Sequence, residues 1–268
     1  MTRPTARRAW ALEGATLTLD ASLLVLVAPP GALEIPVPTF LVEHEHGLVL
    51  FDTGVAPDAA RDPAAVFGDA LAYNGFTAMS EHQRVDRQIE AAGFSIDDVT
   101  HVVLSHAHFD HAGGLYLFPH AQLFAGATEL PNAFWPHSPI YCGHFRLGDL
   151  EPTRGYAWNP LTGDHDVFGD GSVQILATPG HTPGHLSLLV RLPEGALLLT
   201  GDATHLRIGW DTQIHMGFDY SGAQAIGSLQ RLRRIADAER AAVWINHDPA
   251  DWNRYGGSGL IRLPPRTA

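Results

Sequence analysis

The chain has no lysine at all; its 17 basic residues are all arginine. Biased codon usage in a GC-rich gene accounts for that more simply than function does. Cysteine is nearly absent too, and with Cys142 alone no intrachain disulfide can form. Excess positive charge is missing: the formal balance is −12 at pH 7, which disfavours binding to a phosphate backbone and argues against nuclease chemistry. Long apolar runs are lacking, the longest being Leu23 to Ala28, far below membrane-spanning length. Arg3, Arg7 and Arg8 ahead of apolar residues imitate a signal peptide, but Glu13 and Asp20 interrupt it. The expectation is a cytoplasmic protein.

What is present suffices for a large fold. With 268 residues and 45% hydrophobic content, the chain can bury one large core or two fused halves. Nothing resembles a linker and low-complexity tracts are absent, so a single domain over 1–268 is expected. Thr16 to Leu19, Leu23 to Val27, Thr39 to Glu43 and Leu48 to Phe51 read as short strands in an antiparallel meander. Ser80-Glu81-His82-Gln83 fits a capping box opening a helix that stops at Gly93. Ser221-Gly222-Ala223-Gln224 opens another, through Ile226, Leu229, Leu232, Arg233 and Ile235, with one apolar stripe for a sheet. Strands are expected at 102–104 and 242–245. Residues 131–170, with Trp135, Trp158 and five prolines, read as irregular and suited to shaping substrate access. The pattern by itself gives an α/β fold with mixed sheets.

The chemistry concentrates in His106-Ala107-His108-Phe109-Asp110-His111, after the apolar Val102-Val103-Leu104. Neutral imidazole and carboxylate suit Zn²⁺, Fe or Mn²⁺, and four such groups in six residues are hard to aim at one ion. His106 and His108 share a side while Asp110 and His111 turn away, which suggests two adjacent metals. A polar strand end with solvated histidines is the plain alternative, but four ligand-type residues in six argue against it. His181, in Pro179-Gly180-His181-Thr182-Pro183-Gly184-His185, Asp202, after Leu197-Leu198-Leu199-Thr200-Gly201, and His247, after Val243-Trp244-Ile245-Asn246, each follow an apolar run. Seven donors result, enough for two metals sharing one carboxylate.

This order, His-x-His-x-Asp-His followed by His, Asp and His, resembles the metallo-β-lactamase superfamily. The resemblance implies an αβ/βα sandwich of two mixed sheets flanked by helices. A weak internal echo between Gly47–Gly54 and Gly195–Asp202 agrees with two related halves. It also implies one metal on His106, His108 and His181, another on Asp110, His111 and His247, and Asp202 between them. The first histidine of the doubled Pro-Gly-His is then the ligand and His185 a supporting hydrogen-bond partner. Ile35–His44, Gly47–Gly54, Gly217-Phe218-Asp219 and Asn246-His247-Asp248 are similar to segments of N-acyl-homoserine lactonases. That narrower resemblance implies a hydrolase for small lactones holding two divalent ions, with zinc expected and iron, manganese or cobalt as alternatives. Asp110 would pass a proton to the leaving oxygen.

One departure stands out. Many such lactonases carry tyrosine three residues after the bridging aspartate, in contact with the substrate carbonyl, and here that residue is His205. A neutral imidazole could donate a similar hydrogen bond. His44 and His46 read as a solvated hairpin, and His82, His101, His120, His137, His144, His165 and His215 show no ligand-like spacing. Ile208, Trp210 and Met216 are candidates for an acyl pocket, with ordinary packing equally in view. A glyoxalase-II-like thioesterase would continue into a helical domain, whereas 21 residues follow His247. A β-lactamase shares the chemistry but not the lactonase-like strands, and organophosphate hydrolysis fits as a side activity. A turnover-free metal scaffold would have a damaged donor set, and a diiron oxygen reductase would need a flavin domain. Oligomeric state stays open, a homodimer included.

Overall fold

Strands that are apolar on both faces need cover on both, and that requirement organises this chain. In a computed structural model, which describes residues 5–69, 75–137 and 144–263, Thr39–His44 and Gly47–Phe51 form an antiparallel hairpin. Phe40 lies opposite Phe51, Leu41 opposite Leu50, and Val42 opposite Val49. Because side chains alternate, Phe40, Val42, Val49 and Phe51 enter one core while Leu41, Leu48 and Leu50 enter another.

The hairpin belongs to a seven-stranded mixed sheet. Its spatial order is Gly259–Leu260, Arg8–Leu12, Thr39–His44, Gly47–Phe51, Val99–Val103, Gln122–Gly126 and Ala157–Leu161. The last four of these run parallel. A five-stranded mixed sheet follows the order His165–Asp166, Val173–Ala177, Leu186–Leu192, Gly195–Leu199 and Ala242–Trp244. Leu188, Val190, Leu197, Leu199 and Trp244 meet the first core, so the two sheets stack face to face. Trp244 stands edge-on to Phe40, with ring centroids 5.1 Å apart. Burying side chains of this size contributes about 1.5–3 kcal/mol each.

Helices close the outer faces. Val85 and Ile89 of helix Val85–Ala91 pack beneath Leu41, Leu50 and Val102. Leu229, Leu232 and Ala236 of helix Gly222–Glu239 pack on Leu189 and Leu198. The layers are therefore helix, sheet, sheet, helix, an αβ/βα sandwich. A third sheet, Ala32–Pro36, Thr16–Asp20 and Phe76–Ala78, lies to one side over its own core.

Several sequence expectations need correction. The run from Leu23 to Val27 is not a strand; Ala21–Leu24 is a single helical turn. Asp20 caps it by accepting from the Ser22 amide at 2.9 Å and its hydroxyl at 2.6 Å. Ala32–Pro36 takes the strand position beside Thr16–Asp20, so these residues leave the expected meander. The capping box at Ser80 closes only the 3₁₀ turn Glu81–Gln83, and the α-helix starts at Val85 because Arg84 is extended. Within 131–170, strands Ala157–Leu161 and His165–Asp166 add to the two sheets. Cys142 lies outside the described residues.

Candidate metal centre

The parallel strands Gly47–Phe51 and Val99–Val103 both end at one rim, where α/β sheets present their ligand-binding residues. Past Val103 the chain bends at Ser105 and passes His106 to reach His108, which is extended. It then coils into the short helix Phe109–Ala112, which carries Asp110 and His111. His181 comes from the turn between Val173–Ala177 and Leu186–Leu192, Asp202 follows Gly195–Leu199, and His247 follows Ala242–Trp244. All seven side chains are buried and converge.

Asp202 stands at the centre and its two oxygens face different partners. Oδ2 lies 3.6 Å from Nε2 of His106 and 3.7 Å from Nε2 of His181. Oδ1 lies 3.4 Å from Nε2 of His111 and 3.1 Å from Nε2 of His247. Nδ1 of His108 comes within 2.9 Å of His106 and 3.1 Å of His181. Asp110 Oδ2 is 3.6 Å from His111 and 3.7 Å from His247. One carboxylate thus separates two groups of donors.

The outer ring nitrogens determine what the inner ones offer. Nδ1 of His111 donates to Asp52 at 2.8 Å, Nδ1 of His181 to Asp219 at 3.1 Å, and Nδ1 of His247 to the Pro36 carbonyl at 2.8 Å. The Ser105 hydroxyl donates to Asp52 at 2.8 Å, so at 3.0 Å it accepts from Nδ1 of His106. A neutral imidazole whose proton is engaged on one nitrogen leaves a lone pair on the other. Lone pairs aimed at each other within about hydrogen-bond distance repel unless a cation sits among them. Asp202 Oδ1, buried and without a hydrogen-bond donor, adds to the demand. The set fits two divalent metal ions.

Charge is unevenly distributed here. Burial pushes His106 and His108 well below the usual imidazole range. Burial would lower His111 and His247 too, but Asp202 and its neighbouring carboxylates raise both. Burial opposes ionisation of Asp202, yet His247, His205, His111 and His106 hold it well below the ordinary carboxylate value.

His185 sits behind this array. Its Nε2 accepts from the Asp202 amide at 2.9 Å and its Nδ1 meets the Thr178 hydroxyl at 2.9 Å. Burial lowers its pKa to about 3, so it is neutral at physiological pH. His205 points inward, with Nε2 2.9 Å from Asp202 Oδ2. The proposed acyl-pocket group divides: Trp210 packs in the core under helix Gly222–Glu239, Met216 is buried, and Ile208 is exposed.

Sequence reasoning gave no role to Asp52, Ser105 and Glu129. Asp52 ends its strand in the left-handed region, φ 62°, which aims its carboxylate at both Ser105 and His111. The Phe51-Asp52-Thr53-Gly54 echo of the Asp202 segment was the available signal. Glu129 is fully buried on helix Glu129–Phe134. It accepts from the Ala107 amide at 2.8 Å, the Thr182 hydroxyl at 2.6 Å and the Gly184 amide at 3.1 Å. It thereby ties the 105–111 loop to the 178–185 loop. A Cβ at Gly184 would come within 2.6 Å of Glu129, so only glycine allows this approach.

Comparison with known proteins agrees with this architecture. Residues 33–247 match the model of the metallo-beta-lactamase superfamily. The N-acyl homoserine lactonase AttM of Rhizobium radiobacter is 36% identical over 254 residues, covering 92% of this chain and 95% of that protein. AiiA of Bacillus thuringiensis subsp. kurstaki, also an N-acyl homoserine lactonase, is 30% identical, covering 91% and 94%. The structure of an N-acyl homoserine lactone hydrolase with N-hexanoyl-L-homoserine at its catalytic metal centre superposes with TM-score 0.80 at 26% identity, covering 94% and 97%. The chain belongs to the metallo-beta-lactamase superfamily, within its N-acyl homoserine lactonase branch.

Proposed function

We propose that this chain is a single-domain dimetal hydrolase that opens the lactone ring of N-acyl-homoserine lactones or similar small lactones. The observation that carries this reading is the central Asp202 carboxylate, whose two oxygens each face a separate pair of imidazoles. His106, His108 and His181 would hold one ion, and Asp110, His111 and His247 the other, with Asp202 shared. Zinc suits both groups, since imidazole and carboxylate are its usual partners. When bound, such a pair supplies hydroxide near neutral pH, polarises an ester carbonyl and steadies a leaving alkoxide.

The protein's own part is positioning and proton handling. Asp52, Asp219 and the Pro36 carbonyl fix the rings of His111, His181 and His247. Asp110 holds one oxygen toward His111 and His247, where it can take the proton released by the attacking water. Returning that proton to the ring oxygen as the acyl C–O bond breaks gives a hydroxy acid and leaves Asp110 ionised. We place the enzyme in the cytoplasm; no helix among the described residues is long and apolar enough to cross a membrane.

The test joins metal analysis to hydrolysis assays on lactones, thioesters, β-lactams and organophosphates. About two transition metals per chain and lactone turnover well above the other classes are expected. Fewer than about one ion in unchelated protein, or a clear preference for thioesters or β-lactams, overturns the reading.

A further inference from the structure

The donors around Asp202 are not shared equally. On the Oδ1 side stand His111 and His247, with Asp110 beside them. On the Oδ2 side stand His106, His181 and, closer than either, His205 at 2.9 Å. Nδ1 of His108 joins this second group through its approach to His106 and His181. The ligand atoms of His181, Asp202 and His205 all lie within 4.8 Å of one another, the same closeness found for His106, His108 and His181.

His205 is also held in place. Its ring is buried between His181, with centroids 5.0 Å apart, and His247, at 5.5 Å and nearly parallel. The loop that carries it is fastened on its far side, where the Arg207 amide donates to Asp248 at 2.6 Å. A ring held this way presents Nε2 to the cluster as a fixed feature. In the tautomer protonated at Nδ1, Nε2 carries a lone pair that can serve a cation directly.

Resting on the dimetal reading above, we propose that His205 is a direct metal donor, the fourth imidazole of the group on the Oδ2 side. The two half-sites are then chemically unequal. One offers His106, His108, His181 and His205 with a single carboxylate oxygen; the other offers His111 and His247 with two carboxylates, Asp110 and Asp202. Imidazole-rich surroundings favour zinc, cobalt or nickel, whereas carboxylates also suit manganese. The Oδ2 half-site is therefore the tighter one for zinc and cobalt.

Metal-free full-length protein titrated with Co²⁺, followed by visible absorption and by chelator competition, tests this. The wild type should take two equivalents, the first more tightly than the second. His205→Phe and His205→Gln should each weaken the tighter equivalent by about 10-fold or more and alter its absorption spectrum. Circular dichroism of the metal-free variants should match the wild type, because His205 lies on a loop outside all three sheets. Unchanged affinity and spectrum in either folded variant overturns the proposal. So does a fall in lactone turnover with His205→Phe that His205→Gln restores at unchanged Co²⁺ affinity, since that assigns His205 to the substrate. His181→Ala separates the two readings: lost metal there, beside intact metal in His205→Phe, rejects His205 as a donor and keeps the dimetal site. A wild-type chain that binds no Co²⁺ rejects both.

Discussion

Histidines gather at both ends of the parallel strands, and the two gatherings behave differently. At the rim carrying Asp202, imidazoles turn their nitrogens toward one another and are fixed from outside by Asp52, Asp219 and Pro36. At the other end they turn their faces to phenylalanine. His44 stacks on Phe168 at 3.9 Å, His101 meets Phe168 edge-on at 5.2 Å, and His165 lies over Phe124 at 5.2 Å. His44 has one carboxylate partner, Asp170 at 3.1 Å. The same side chain is thus a ligand candidate where its lone pairs converge and a packing element where its ring is covered. His44 is as buried as the rim histidines, so between these it is direction and not burial that decides.

The largest effect should come from the nitrogen-facing group. His181→Ala removes a donor facing both His108 and Asp202, so metal and activity should be lost together. His185→Ala removes a link between the Asp202 amide and Thr178; it should keep most metal, with activity down about 10–100-fold. Elemental analysis beside lactone assays reads both, and the reverse ranking would exchange the roles of the two residues.

A smaller but still large loss is expected for Asp110→Asn. The amide can occupy the carboxylate's place but cannot carry the proton, so turnover should fall about 10²–10⁴-fold with part of the metal retained. Near-normal turnover at matched metal content would remove Asp110 from proton transfer.

The stacked histidines sharpen the comparison with the mildest effect. His44→Ala should leave metal content unchanged. Burial, with a minor contribution from His44, holds the pKa of His101 below its ordinary value. Below pH 6.5 the unfolded chain therefore binds more protons at this position than the folded one, and stability falls with pH there. His101→Phe should flatten this part of the acid limb in thermal unfolding measured from pH 7 to pH 5. An acid limb identical to the wild type's would show that His101 does not contribute to it.

How much of this was legible depended on how local the cause was. The donor run at 106–111 declares itself because four groups with metal affinity are adjacent in the chain. His181, Asp202 and His247 are visible because each follows an apolar strand. The alternating faces of Phe40-Leu41-Val42 imply cover on both sides, but the pairing of two sheets came from resemblance. Leu23 to Val27 misled because its apolar composition fits a strand, while the cap on Asp20 and the competing strand Ala32–Pro36 decide otherwise. Glu129 gave no signal: a lone glutamate in a helix owes its role to two loops brought to it by folding.

That glutamate carries a consequence for timing. Its two oxygens fasten the loop bearing the first four donors to the loop bearing His181. His181 lies 73 residues beyond His108, and His247 136 beyond His111. As the chain leaves the ribosome, His106, His108, Asp110 and His111 emerge together long before their counterparts. Until the second sheet docks and Glu129 closes its clasp, they form an incomplete nest with no opposing wall. A small zinc-nucleated domain folds around its ion; this protein has large hydrophobic cores of its own, so its fold does not depend on an ion to nucleate it.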